Sequence, residues 1–143
     1  MKVIDNFMPE DIWPQLRDMV MDQRNRFPWA FNTNTLNDDM LKVDPLDGYQ
    51  FTHTVYTVNT NSDGDQIQKG TCVPVYNRQT FEYFLPFHTN PKLNCKVLIK
   101  LKLNLNPRRS TVMEHGFHVD NDIPGAKTAV FYYNDNNGYT ILE

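Results

Sequence analysis

Ile99-Lys100-Leu101-Lys102-Leu103-Asn104-Leu105-Asn106-Pro107 is the stretch whose pattern decides the fold class. Four aliphatic side chains alternate with two lysines and two asparagines. That is a period of two, so the stretch is predicted to be a strand with one buried face. Pro107 has no N–H to give to a ladder and ends it. Working outward, residues 49–58 form the best strand signal of the first half: Tyr49-Gln50-Phe51-Thr52-His53-Thr54-Val55-Tyr56-Thr57-Val58 is β-branched and aromatic. On the C-terminal side, residues 111–120 and 127–134 read as two further extended runs. Asn137-Gly138 then marks a hairpin turn, and residues 139–142 begin the returning strand.

Ahead of the strands, Pro9-Glu10-Asp11 opens a helix, since proline suits the first turn and acids suit its positive end. Ile12, Leu16, Met19 and Val20 recur at helical spacing, so an amphipathic helix is expected to about Arg24, with Pro14 tolerated in the first turn. Phe27-Pro28-Trp29 ends it and starts an extended segment, with Trp29 and Phe31 as expected core anchors. Residues 32–47 and 61–65 are polar and read as loops. Phe81-Glu82-Tyr83-Phe84-Leu85 is apolar and reads as either a short helix or a strand. One helix outside a set of strands is an α+β fold, and 143 residues make one domain, residues 1–143.

Composition narrows the functions. At 40% hydrophobic and 22% charged residues the chain reads as soluble and globular. A net charge of −3 without a basic run gives no footprint for nucleic acid. No apolar run approaches the ~20 residues that cross a bilayer, and charge interrupts the N-terminus too early for a signal peptide. Cys72 and Cys95 lack C-x-x-C spacing and read as reduced thiols of a cytoplasmic protein.

Chemistry concentrates in Glu114-His115-Gly116-Phe117-His118-Val119-Asp120. Alternate side chains of a strand share a face, so His118 and Asp120 project together and can grip one metal ion. They would supply two of the three ligands of the 2-His-1-carboxylate triad of non-haem Fe(II) oxygenases. The spacing alone is weak: 4 His and 17 acids in 143 residues produce about 0.5 such pairs by chance. The plain alternative is a surface His and an Asp entering a turn. Position favours a site, because ligands at the end of a strand are held firmly yet stay open to substrate. His115 falls on the opposite face unless Gly116 carries a bulge, which also argues against a zinc hydrolase built on His115, His118 and Asp120. His53 reads as a structural histidine, and His88 as an exposed loop residue.

The run 102–108 (Lys-Leu-Asn-Leu-Asn-Pro-Arg), the stretch 114–120, Ala129-Val130-Phe131-Tyr132-Tyr133-Asn134 and Asn137-Gly138-Tyr139-Thr140 together resemble the Fe(II)- and 2-oxoglutarate-dependent oxygenases. The branch they most resemble is the prolyl-hydroxylase-like one of phages and marine bacteria. The likeness is detailed over the last third of the chain and looser at Ile4-Asp5-Asn6-Phe7. It implies a partial double-stranded β-helix, or jelly roll, with the N-terminal helix packed outside. It further implies His118 and Asp120 as metal ligands, Fe(II) as the metal, 2-oxoglutarate as a small-molecule co-substrate, and a second substrate that is hydroxylated. Asn106 stands where the family often places a tyrosine against 2-oxoglutarate. Thr140 stands where a hydroxyl would bond the co-substrate, and also fits as an ordinary strand threonine.

The family's second His and its basic partner for 2-oxoglutarate do not occur between Asp120 and Glu143. The chain is therefore expected to be the N-terminal portion of a longer oxygenase, holding iron weakly and inactive by itself. A homodimer that covers the edge of the last strand is a further expectation. The competing reading is a non-enzymatic β-sandwich or jelly-roll module that binds a partner.

Overall fold

The computed structural model describes residues 2–22, 24, 26–32, 49–59, 73–78, 80–108, 110 and 123–141. Among them the chain is a mixed α/β structure with two helices and an open four-stranded sheet. Element order is α1 (Trp13–Met21), β1 (Ala30–Asn32), β2 (Gln50–Asn59), β3 (Val73–Tyr76), α2 (Phe81–Thr89) and β4 (Lys100–Leu105). β2 is the hub, pairing with β1, β3 and β4. Its pairing with β3 is antiparallel, in the register Tyr56 to Tyr76 and Asn59 to Val73. The Val58 amide also donates to the Ile99 carbonyl at 2.9 Å, just ahead of β4.

The strand read from β-branched and aromatic composition at residues 49–58 and the one read from period two at 99–106 are present as β2 and β4. Along β4, Leu101, Leu103 and Leu105 are half-buried while Lys100 and Asn104 are exposed, and Lys102 between them is half-buried as well, so the alternation is present but incomplete. Helix α1 is shorter than expected at both ends. The Pro9 carbonyl accepts the amides of Ile12 (3.1 Å) and Trp13 (3.0 Å), so residues 9–12 form a turn and the helix starts at Trp13. At the other end the Asp22 amide donates to the Asp18 carbonyl at 2.9 Å and Asp22 turns extended, which ends the helix; beyond it the Asp22 carboxylate accepts the Arg24 amide at 2.9 Å. Leu16 and Val20, one turn apart, are its buried pair.

Residues 81–85 belong to helix α2, which continues through Pro86 to Thr89. Proline removes one intrahelical bond, and burial of Phe84 and Phe87, whose rings stack at 5.7 Å, holds the helix across the gap. Two other expectations fail. Phe31 is 59% exposed and groups with Tyr49 and Phe51 (ring centroids 5.6 and 5.5 Å) without entering the core. Residues 127–134 and 139–141 are not strands: the turn between them forms, but no backbone ladder follows among the described residues.

The chain groups into two compact units, residues 1–30 with 52–104, and residues 31–51 with 105–143. Every buried hydrophobic residue described lies in the first: Met8, Leu16, Val20, Val55, Val58, Phe84 and Phe87. In the second, Val130, Tyr132, Tyr139 and Ile141 are more than half exposed. Cys95 is a free, half-buried thiol. Among the described residues no helix is long and apolar enough to cross a membrane.

Candidate functional site

His118 and Asp120, and with them His115 and Cys72, lie outside the described residues. Asn106 and Thr140 are described, and both are exposed. Asn106 follows β4 directly and precedes Pro107, so the strand ends where the sequence requires.

Thr140 belongs to a turn built by one asparagine. Asn136 Oδ1 accepts the Gly138 amide at 2.9 Å, and Asn136 Nδ2 donates to the Asn134 carbonyl at 3.0 Å. This is an asparagine side chain standing in for a backbone turn. A Cβ added at Gly138 would meet Asn136 Oδ1 at 3.0 Å, so glycine is suited to the position. The turn brings residues four places either side of Asn136 together: Tyr132 Oη and Thr140 Oγ1 are 2.9 Å apart. Tyr132, Asn134, Asp135, Asn136 and Gly138 line an open depression of about 320 Å³ there. Sequence reasoning names Thr140 and not Tyr132. Symmetry about the Asn137-Gly138 pair would set Thr140 opposite Asp135, so the Tyr132 contact is not legible in the sequence: it follows from the turn being centred on Asn136. Beside this turn the Phe131 and Tyr133 rings meet edge to face at 5.6 Å, and burial pushes the Tyr133 hydroxyl above its usual pKa.

The histidines of the first unit have structural surroundings. His53 on β2 is 5% exposed, with Nδ1 3.0 Å from the Pro28 carbonyl oxygen and Nε2 2.8 Å from Thr80 Oγ1. A carbonyl only accepts, so Nδ1 carries the proton, and in the neutral ring Nε2 accepts from the threonine hydroxyl. Thr80 occupies the N-cap of α2 and makes no side-chain cap; its hydroxyl is turned to His53. The Phe27 ring meets the imidazole edge-on at 4.7 Å. One histidine therefore ties the start of β1, the middle of β2 and the start of α2. With both ring nitrogens engaged it has no lone pair for a metal.

His88 differs from its expected place. It lies in the last turn of α2, half-buried, with its ring stacked on Phe81 at 6.2 Å and Phe81 stacked in turn on Tyr56 at 5.6 Å. Its Nδ1 is shielded from solvent and has no hydrogen-bond partner among the described residues. Pro86 and Pro91 suggested a loop, but the helix runs through the first and ends before the second. Among the described residues no three His, Cys, Asp or Glu side chains come together as a metal-holding group. No family model, curated protein or solved structure matches this chain.

Proposed function

We propose that this chain is the N-terminal part of a double-stranded β-helix oxygenase dependent on Fe(II) and 2-oxoglutarate, with His118 and Asp120 as metal ligands. The observation that carries the reading is His118-Val119-Asp120 within its flanking match: the run ending in Pro107 before it, and Asn137-Gly138-Tyr139-Thr140 after it. An imidazole nitrogen and a carboxylate oxygen are donors that Fe(II) accepts in open, partly hydrated sites, so the chemistry of the pair fits the metal. Bound there, iron and 2-oxoglutarate would supply the oxidising power for hydroxylation of the second substrate.

The contribution of this chain's own residues is to bind and orient. His118 and Asp120 would hold the metal on one face of a strand. With Tyr132 Oη–H donating to Thr140 Oγ1, the Thr140 O–H would be left to donate to a carboxylate oxygen of the co-substrate. A helix ahead of an open sheet with an antiparallel pair is compatible with the outer helix and first strands of a jelly roll. On this reading the second His belongs to later strands, and two protein ligands leave most of the coordination shell to water.

Calorimetric titration with Mn(II), with and without 2-oxoglutarate, tests the proposal. The expected result is weak Mn(II) binding, tightened by 2-oxoglutarate and abolished by His118→Ala or Asp120→Ala. Binding that survives both substitutions removes the metal assignment and leaves the non-enzymatic module.

A further inference from the structure

Asn137 is the only asparagine of the chain that is followed by glycine. Attack of the Gly138 nitrogen on the Asn137 side-chain carbonyl carbon closes a five-membered ring. A side chain at position 138 would crowd that ring, and glycine has none. Asn137 is exposed, and among the described residues no hydrogen bond holds its side-chain amide. One contact opposes the reaction. The Gly138 amide donates to Asn136 Oδ1 at 2.9 Å, and Asn136 Nδ2 donates to the Asn134 carbonyl at 3.0 Å, which fixes the acceptor in place. The Gly138 nitrogen attacks only after losing its proton, and a hydrogen bond from its N–H stabilises the protonated form.

We infer that Asn137 is a site of spontaneous deamidation whose rate is restrained by the side chain of Asn136. The inference stands apart from the oxygenase reading. In the first step the Gly138 amide proton passes to solvent and the nitrogen bonds to Asn137 Cγ. Nδ2 takes a proton from solvent and leaves as ammonia. Water then opens the cyclic imide at one of its two carbonyls, giving aspartate or isoaspartate. No oxidant or reductant enters, and water is the one co-reactant. A neutral amide has become a carboxylate, so the net charge moves from −3 to −4. Opening on the main-chain side inserts a methylene into the backbone between Asn137 and Gly138. The Gly138 amide is then displaced from Asn136 Oδ1, and Thr140, two residues on, from its 2.9 Å contact with Tyr132 Oη. One asparagine therefore shapes the turn and delays the reaction that would undo it.

Incubating the folded chain in mildly alkaline buffer, with peptide mapping by mass spectrometry over time, tests this. The expected result is conversion of Asn137 that runs about fivefold faster in Asn136→Ala, the factor given by losing a hydrogen bond of about 1 kcal/mol. Asn136→Asp keeps an acceptor oxygen for the Gly138 amide and gives up only the donor, so it should stay within about twofold of wild type. The wild-type chain unfolded in urea, where the turn is gone, should convert at least as fast as Asn136→Ala. Three results overturn the inference: no conversion of Asn137 in either the folded or the unfolded chain, equal rates in wild type and Asn136→Ala, or Asn136→Asp as fast as Asn136→Ala. The last would mean that the shape of the turn, and not the hydrogen bond to the Gly138 amide, sets the rate.

Discussion

Removing the two hydrogen bonds of His53 while keeping a ring in place should cost this fold a large part of its stability. His53→Phe keeps an aromatic ring beside Phe27, somewhat larger than the imidazole, so the contact with Phe27 is retained and the main loss is polar. Two groups lose their partner: the Pro28 carbonyl and the hydroxyl of Thr80, a residue only 4% exposed. An unsatisfied buried group costs about 1–3 kcal/mol. The Pro28 carbonyl is only partly buried, and the Thr80 hydroxyl can swing to cap the start of α2, so about 2–3 kcal/mol in total is expected. His53→Ala adds the loss of the Phe27 contact and a cavity, for about 3–5 kcal/mol. Urea unfolding followed by circular dichroism measures both, with an unchanged slope as the check that only stability moved. Thr80→Val in each background completes a double-mutant cycle, with a coupling of about 1 kcal/mol expected. A His53→Phe midpoint indistinguishable from wild type, or strict additivity with Thr80→Val, would refute the bridging role of this histidine.

Phe84, 1% exposed and stacked on Phe87, anchors α2, and Phe84→Ala should lower stability by about 3–5 kcal/mol in the same urea assay. Asp22 is held at a pKa of about 2, chiefly because the Arg24 side chain and then its amide donate to the carboxylate. Its folded value is depressed below 3.8, so its contribution is full above pH 3.8 and is lost as pH falls through about 2. A carboxyl NMR titration should find that midpoint and see it rise toward 3.8 in Arg24→Ala; a wild-type midpoint at 3.8 contradicts the ion pair. Burial raises the Tyr133 hydroxyl above its ordinary value of 10, so the folded chain keeps a proton that the unfolded chain releases. Stability should therefore fall as pH rises above about 10, and Tyr133→Phe should flatten that fall.

What the sequence made legible follows a physical divide. The alternation at Ile99–Leu105 is decisive because a half-buried strand imposes period two on its own residues, and the run at residues 49–58 because β-branched and aromatic side chains suit a pleated sheet. Leu16 and Val20 are equally plain for α1, whereas its ends are not, since the turn at Pro9 and the Asp22–Arg24 turn depend on local hydrogen bonds. Residues 81–85 stayed ambiguous because a short aromatic run has no resolvable period. The tail misled: Val130, Phe131, Tyr132 and Tyr133 have high strand propensity, but a strand also needs a partner ladder. Among the described residues, a side-chain turn at Asn136, the Tyr132–Thr140 contact and the Phe131–Tyr133 ring pair form there. His53 was rightly read as structural; its partners Pro28 and Thr80, 25 and 27 residues away, come together only through tertiary folding. The resemblance to oxygenases, by contrast, rests on side-chain identity at short spacing.

Paramagnetic broadening of amide and imidazole resonances by substoichiometric Mn(II) tests the central claim most directly. Selective loss of the signals of residues 116–122, including the His118 ring, is expected, while the buried His53 ring stays sharp. Broadening centred elsewhere, or unchanged in His118→Ala, would contradict the assignment of His118 and Asp120 as a metal-binding pair.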